Sequence, residues 1–100
     1  MSRQAFFEFL GTALMVGLGC GSIYYGASHG WISLTFAVAV TVAILLFGNL
    51  SGAHINPAVS IAFWREGELE NGQLLLYIAG QMTGALTAAM ILDGAGPTVV

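Results

Sequence analysis

In this 100-residue sequence the run Ser51-Gly52-Ala53-His54-Ile55-Asn56-Pro57-Ala58-Val59-Ser60 lies between two long apolar stretches, where polar and helix-starting residues are costly. Asn is among the best helix N-caps, and Pro at the first helical position gives up no hydrogen bond, so Asn56 and Pro57 predict a helix beginning there, with Ala58 in its first turn. Ala58, Val59, Ile61, Ala62, Phe63 and Trp64 supply its apolar body. A helix of about eight residues is roughly 12 Å long, against a hydrocarbon core of about 30 Å. It therefore reaches only partway across, with the positive end of its dipole toward the bilayer centre, where channels and transporters place such an end beside a solute. Before it, Gly52, Ala53, His54 and Ile55 are expected in non-helical backbone, whose carbonyls are tolerable at that depth only when buried in protein or lining water. Lining water, they form a ladder of acceptors, and the Asn56 amide adds donors. The chemistry implied is passage of small neutral molecules, with cations and relayed protons opposed by the helix's positive end.

The elements that must position this loop are apolar. Hydrophobic residues make up 57% of the chain and charged residues 7%, and the mean hydropathy is +0.85, which excludes an ordinary soluble domain and leaves an integral, multi-pass membrane protein. Two basic residues against five acidic ones give a net charge of -3, so nucleic acid is excluded as a partner and membrane lipid is engaged through apolar mass rather than charge. One cysteine, Cys20, cannot close an internal disulfide. No metal-ligand spacing and no nucleophile paired with a base occurs, so neither enzyme activity, cofactor nor metal is expected. The fold class expected is an all-α membrane protein: a single unit over 1–100, with spans at about 5–25, 32–50 and 74–92 and the re-entrant loop and half-helix at about 51–64.

Arg3 and Arg65 fall on the same side once the first two spans are drawn, which puts the N-terminus in the cytoplasm and, by expectation, the protein in the plasma membrane. Tyr24, Tyr25 and Trp31 would mark the outer interface and Trp64 the inner one, with the tail Asp93 to Val100 outside. Gly17 with Gly21, and Gly80 with Gly84, have the four-residue spacing that lets helix backbones approach closely; generic packing, rather than a dedicated dimer face, is the expectation. Two polar residues interrupt the spans. Glu8 either snorkels to the headgroups or serves as a buried acceptor for backbone amides of the loop, with Thr12 one turn further along the same face. Gln81 is a lone amide suited to helix–helix bonding.

Glu8-Phe9-Leu10-Gly11-Thr12, the run from Ser51 to Ser60 with its Asn-Pro-Ala box, and Gln81 with Gly84-Ala85 together resemble the first-helix, loop and third-helix signatures of the major intrinsic proteins, the family of aquaporins and glycerol facilitators. The resemblance implies that Glu8 ties down the loop, that Gln81 supports it, and that His54 is the family's loop histidine, bracing the loop or contacting the pore. It implies that Phe36 contributes to the outer selectivity constriction. Water-selective members carry Phe there and glycerol-conducting members typically Trp, so Phe36 leans toward water, with glycerol or another small neutral solute as the alternative.

The chain departs from the family's pattern of six spans and two boxes arranged as an inverted repeat. It has three spans and one box, and where the second box is followed by the constriction arginine, Val59 stands here. Half a pore is therefore expected, completed by a missing second half or, less in keeping with the arginine bias, by an inverted copy of the chain. The resemblance implies a homotetramer when complete. A non-conducting truncated subunit is the competing expectation.

Overall fold

A computed structural model describes residues 2–94, and among them every regular element is a helix: α1 (Ser2–Tyr24), α2 (His29–Ser51), α3 (Pro57–Arg65) and α4 (Asn71–Gly94). α1, α2 and α4 contain the stretches long and apolar enough to cross a membrane, Arg3–Tyr24, His29–Ser51 and Asn71–Asp93. Each is about 35 Å long at 1.5 Å per residue, and the longest dimension of the protein is 41 Å, the thickness of a bilayer with its headgroup regions. The helices start about three residues before the apolar ranges expected from the sequence. Hydropathy marks the hydrocarbon, whereas hydrogen bonding ends a helix: α2 starts early because the Ser28 side chain accepts from the Trp31 amide at 3.5 Å. Both tight turns close in Schellman fashion, Ala27 N to Ser22 O at 3.0 Å and Glu68 N to Phe63 O at 2.9 Å. Most of the tail expected outside the membrane, Asp93 to Val100, lies outside the described residues.

α1 packs between α2 and α4, and α3 rests on α4. The α1–α4 contact is the closest. A Cβ on Gly80 would stand 2.4 Å from the Ala5 carbonyl oxygen, and one on Gly84 2.4 Å from that of Phe9, so these two glycines let α4 lie directly on the α1 backbone. The four-residue spacing thus serves a contact within the chain. α2 is peripheral: only 11% of its most apolar window is buried, and Leu34, Val38, Leu45 and Leu46 are exposed. Three threonine hydroxyls on these helices are satisfied locally, Thr35 on Trp31 O, Thr41 on Ala37 O and Thr83 on Ala79 O at 2.7–2.8 Å, which removes the cost of carrying them into lipid.

The N-terminal ends of α1 and α4 meet, since Gln73 Nε2 donates to Gln4 Oε1 at 3.4 Å. Arg3, Asn49 and Leu50 line one cleft, so α2 ends at that same end of the bundle. Arg3 and Arg65 therefore share one end of the molecule.

Candidate functional site

Between α2 and α3 the chain neither crosses nor lies flat. α2 ends at Gly52, whose φ is 90° and whose amide bonds Gly48 O at 3.0 Å. Five residues later α3 starts at Pro57, with Asn56 as its N-cap: Asn56 Oδ1 accepts from Ala58 N at 2.8 Å. The depth of the turn follows from its partners. Glu8 is six residues into α1 and Gln81 ten into α4, about 9 and 15 Å from the shared end at 1.5 Å per residue, so the loop turns back well inside the length of the long helices. Nine residues of α3, about 13 Å, return the chain to the end it came from.

What holds the loop is one carboxylate. Glu8 is fully buried, and four donors converge on it: Ser51 Oγ at 2.6 Å and His54 N at 3.0 Å on Oε2, Ile55 N at 2.8 Å and Gln81 Nε2 at 2.8 Å on Oε1. A carboxylate is an acceptor only, and four donors match its lone-pair directions. All four are neutral, so the charge is held by charge-assisted hydrogen bonds rather than by an ion pair. Two of them are backbone amides of consecutive residues, which fixes the loop itself and not merely a side chain on it.

Around this centre the polar atoms are shared out further. Ser51 Oγ accepts from Ala53 N at 3.2 Å, and Tyr77 Oη donates to Ser51 O at 2.6 Å. Gln81 Nε2 also donates to Ser60 Oγ at 2.8 Å, and Ser60 Oγ lies 2.9 Å from His54 Nδ1. The Ser60 hydroxyl thus bridges the Gln81 amide and the His54 ring. The His54 ring stacks on Phe63 with centroids 4.6 Å apart. Loop, α3 and α4 are thereby tied together through one serine and one histidine.

With the amides of Ala53, His54 and Ile55 turned inward, the carbonyls face the other way. Among the described residues no donor reaches the carbonyl oxygens of Gly52, Ala53, His54 or Ile55. Nor does any acceptor take the Asn56 Nδ2 protons, and Asn56 is exposed. The geometry is obtained at a cost: Ala53 (φ 49°) and Ile55 (φ 46°) occupy the left-handed region, unfavourable by roughly 1–2 kcal/mol for a residue with a Cβ, and more so for a β-branched one. Such strain persists only where surroundings over-determine it, and here the Glu8 bonds to His54 N and Ile55 N do so.

The residues singled out from sequence fall as follows. Glu8, His54, Ile55 and Gln81 share the cluster just described, and Pro57 and Ala58 open α3. Thr12 does not bond the loop; it is buried, and its Oγ1 meets no partner among the described residues. Phe36 lies half-buried on α2, its ring over Gly19 of α1. Three members of the cluster escape a reading of the sequence: Ser51, Ser60 and Tyr77. A signal existed for Tyr77, which stands one turn before Gln81 on the stripe that continues through Gly84 and Ala88.

A helical membrane protein with a re-entrant half-helix braced from a neighbouring span is thus defined. The family described as Major intrinsic protein matches residues 1–99, and the chain belongs to that family. It is similar to the glycerol uptake facilitator protein of Pseudomonas aeruginosa, with 45% identity over 95 residues covering 89% of this chain and 34% of the relative. That of Escherichia coli is 39% identical over 100 residues, covering 94% and 36%. Aquaporin Z of Photorhabdus laumondii is 34% identical over 99 residues, covering 92% and 43%. These relatives are facilitators and aquaporins, not enzymes. The chain spans 34% to 43% of the length of these relatives.

Proposed function

We propose that residues 51–65 form one half of a conduit that carries water across the membrane. The observation that supports it most is the division of the loop's polar groups: amides turned to Glu8, and four successive carbonyls together with the Asn56 amide left without partners. In lipid each such group costs several kcal/mol, so they belong against water in an assembled protein. Gly52, Ala53, His54 and Ile55 then offer acceptors, Asn56 offers donors, and Phe36 narrows the outer end. Glu8 and Gln81 act as supports. A complementary body is required, either a second half or an inverted copy of this chain, and it covers the exposed Val59, Ile61, Phe63 and Trp64 of α3. The assembled protein is a homotetramer in the plasma membrane with the N-terminus in the cytoplasm, the arginine-bearing end facing inward.

A second reading, glycerol or another small neutral solute as the cargo, is favoured by the names of the two facilitator relatives. Light scattering from vesicles holding the assembled protein separates them. Osmotic shrinkage in sucrose faster than for empty vesicles, with glycerol entry lagging behind, is expected. Glycerol passing as readily as water favours the second reading, and no acceleration for either solute contradicts both.

A further inference from the structure

The Phe36 ring occupies the space that a side chain at position 19 would fill. A Cβ built on Gly19 stands 2.2 Å from Phe36 Cε1, 2.3 Å from Cζ and 2.5 Å from Cδ1, and no other group is among its three nearest neighbours. Ordinary contact begins near 3.4 Å. Three ring atoms this close mean that the aromatic edge is seated in a notch of α1 whose depth is the missing methyl group. Of the other glycines on α1, Gly17 and Gly21 would meet Ala88 and Leu92 atoms at 3.8–4.0 Å, ordinary contact distances, and Gly11 would meet Ile55 Cγ2 at 2.8 Å and Phe47 Cδ2 at 3.4 Å; only at Gly19 are the three nearest atoms all from the Phe36 ring. The notch at Gly19 is thus specific to one ring.

We infer that Gly19 is a positioning residue for solute selection, its lack of a side chain letting the Phe36 ring recede into α1 and so setting the width of the opening beside it. The inference rests on the reading above that Phe36 borders the conduit. A methyl group at position 19 forces the ring to shift by more than an ångström off α1. Phe36 is rooted in α2 and wedged against α1, so the displaced ring moves toward its unpacked side, which on that reading is the lumen. The opening becomes smaller although no lumen-lining residue has been changed. Larger solutes are affected first, because a tight opening discriminates by size; a change of one methyl group in a fitted site discriminates by about tenfold or more.

The experiment compares glycerol and water entry into vesicles holding the assembled protein, for the native sequence, Gly19→Ala, Phe36→Val and the two changes together. Expected are a roughly tenfold fall in the glycerol-to-water ratio for Gly19→Ala with water entry retained, a rise for Phe36→Val, and a double variant indistinguishable from Phe36→Val, because the three atoms nearest the added methyl group all belong to that ring. If Phe36→Val changes the ratio while Gly19→Ala leaves it as in the native protein, the inference about Gly19 falls and the reading of Phe36 stands. If Phe36→Val leaves the ratio unchanged, the reading of Phe36 falls and takes the inference with it. Should Gly19→Ala fail to assemble, assembly of the double variant supports the ring as the sole obstacle, and its failure counts against it.

Discussion

At the scale of single residues the carboxylate of Glu8 decides the loop. Its four bonds replace water around a buried charge, and hydrogen bonds to a charged group are worth roughly 1.5–3 kcal/mol each, more when loss strands a buried partner. Glu8→Gln keeps the shape but turns an amide NH₂ toward one pair of donors. It is expected to destabilise the protein by about 3 kcal/mol or more, read as a fall in the denaturation midpoint in detergent, and to abolish solute entry. Ser60→Ala removes one hydroxyl shared by Gln81 and His54 and is expected to cost less, about 1–2 kcal/mol, in the same measurement. Asn56, Pro57 and Glu8 stand out in the sequence because their types are expensive in an apolar run. Ser51, Ser60 and Tyr77 do not stand out, since hydroxyls are common in membrane helices and usually bond their own helix, as Thr35 and Thr41 do here. The partners that tie them to other helices lie 21 to 43 residues away in sequence, and no local pattern carries that information.

Among the elements, the α1–α4 crossing is the one whose spacing matters most, because Glu8 and Gln81 face each other across it. Gly80 and Gly84 set that spacing by lying on the Ala5 and Phe9 carbonyls. Gly80→Ala or Gly84→Ala is expected to force the helices apart, costing roughly 1–3 kcal/mol in stability, with loss of solute entry as Gln81 withdraws from Glu8. Gly72→Ala, on the same helix but in open space, is expected to be neutral or to stabilise by about 0.5–1 kcal/mol through helix propensity. Thermal denaturation of the three variants side by side checks both statements. Hydropathy made the three long helices legible, and the capping signal of Asn56 and Pro57 marked the start of the short one. The close contact was less legible: the spacing of Gly80 and Gly84 fits any partner, and only the fold shows that it is α1.

For the molecule as a whole, the fold brings one end of the chain's polar economy into order and leaves the other open. Among the described residues the loop amides are satisfied inward, while the carbonyls of residues 52–55 have no donor and α3 exposes Val59, Ile61, Phe63 and Trp64. The sequence points to carbonyls at 52–55 and to Glu8 as an acceptor for loop amides; what it does not show is the left-handed backbone at Ala53 and Ile55 that brings this about, residue types that rarely adopt it and that no propensity predicts there. The conduit is tested most directly by a reversible plug at the start of α3. In a Cys20→Ser background, Ala58→Cys puts a single thiol beside Asn56, on an exposed position of the first helical turn. Vesicles holding the assembled protein are treated with a small thiol reagent, labelling is measured by mass spectrometry, and osmotic water entry is followed before treatment, after it, and after reduction. Water entry that falls to the rate of empty vesicles on labelling and returns on reduction is predicted; complete labelling with water entry unchanged would contradict the placement of this loop along a water path.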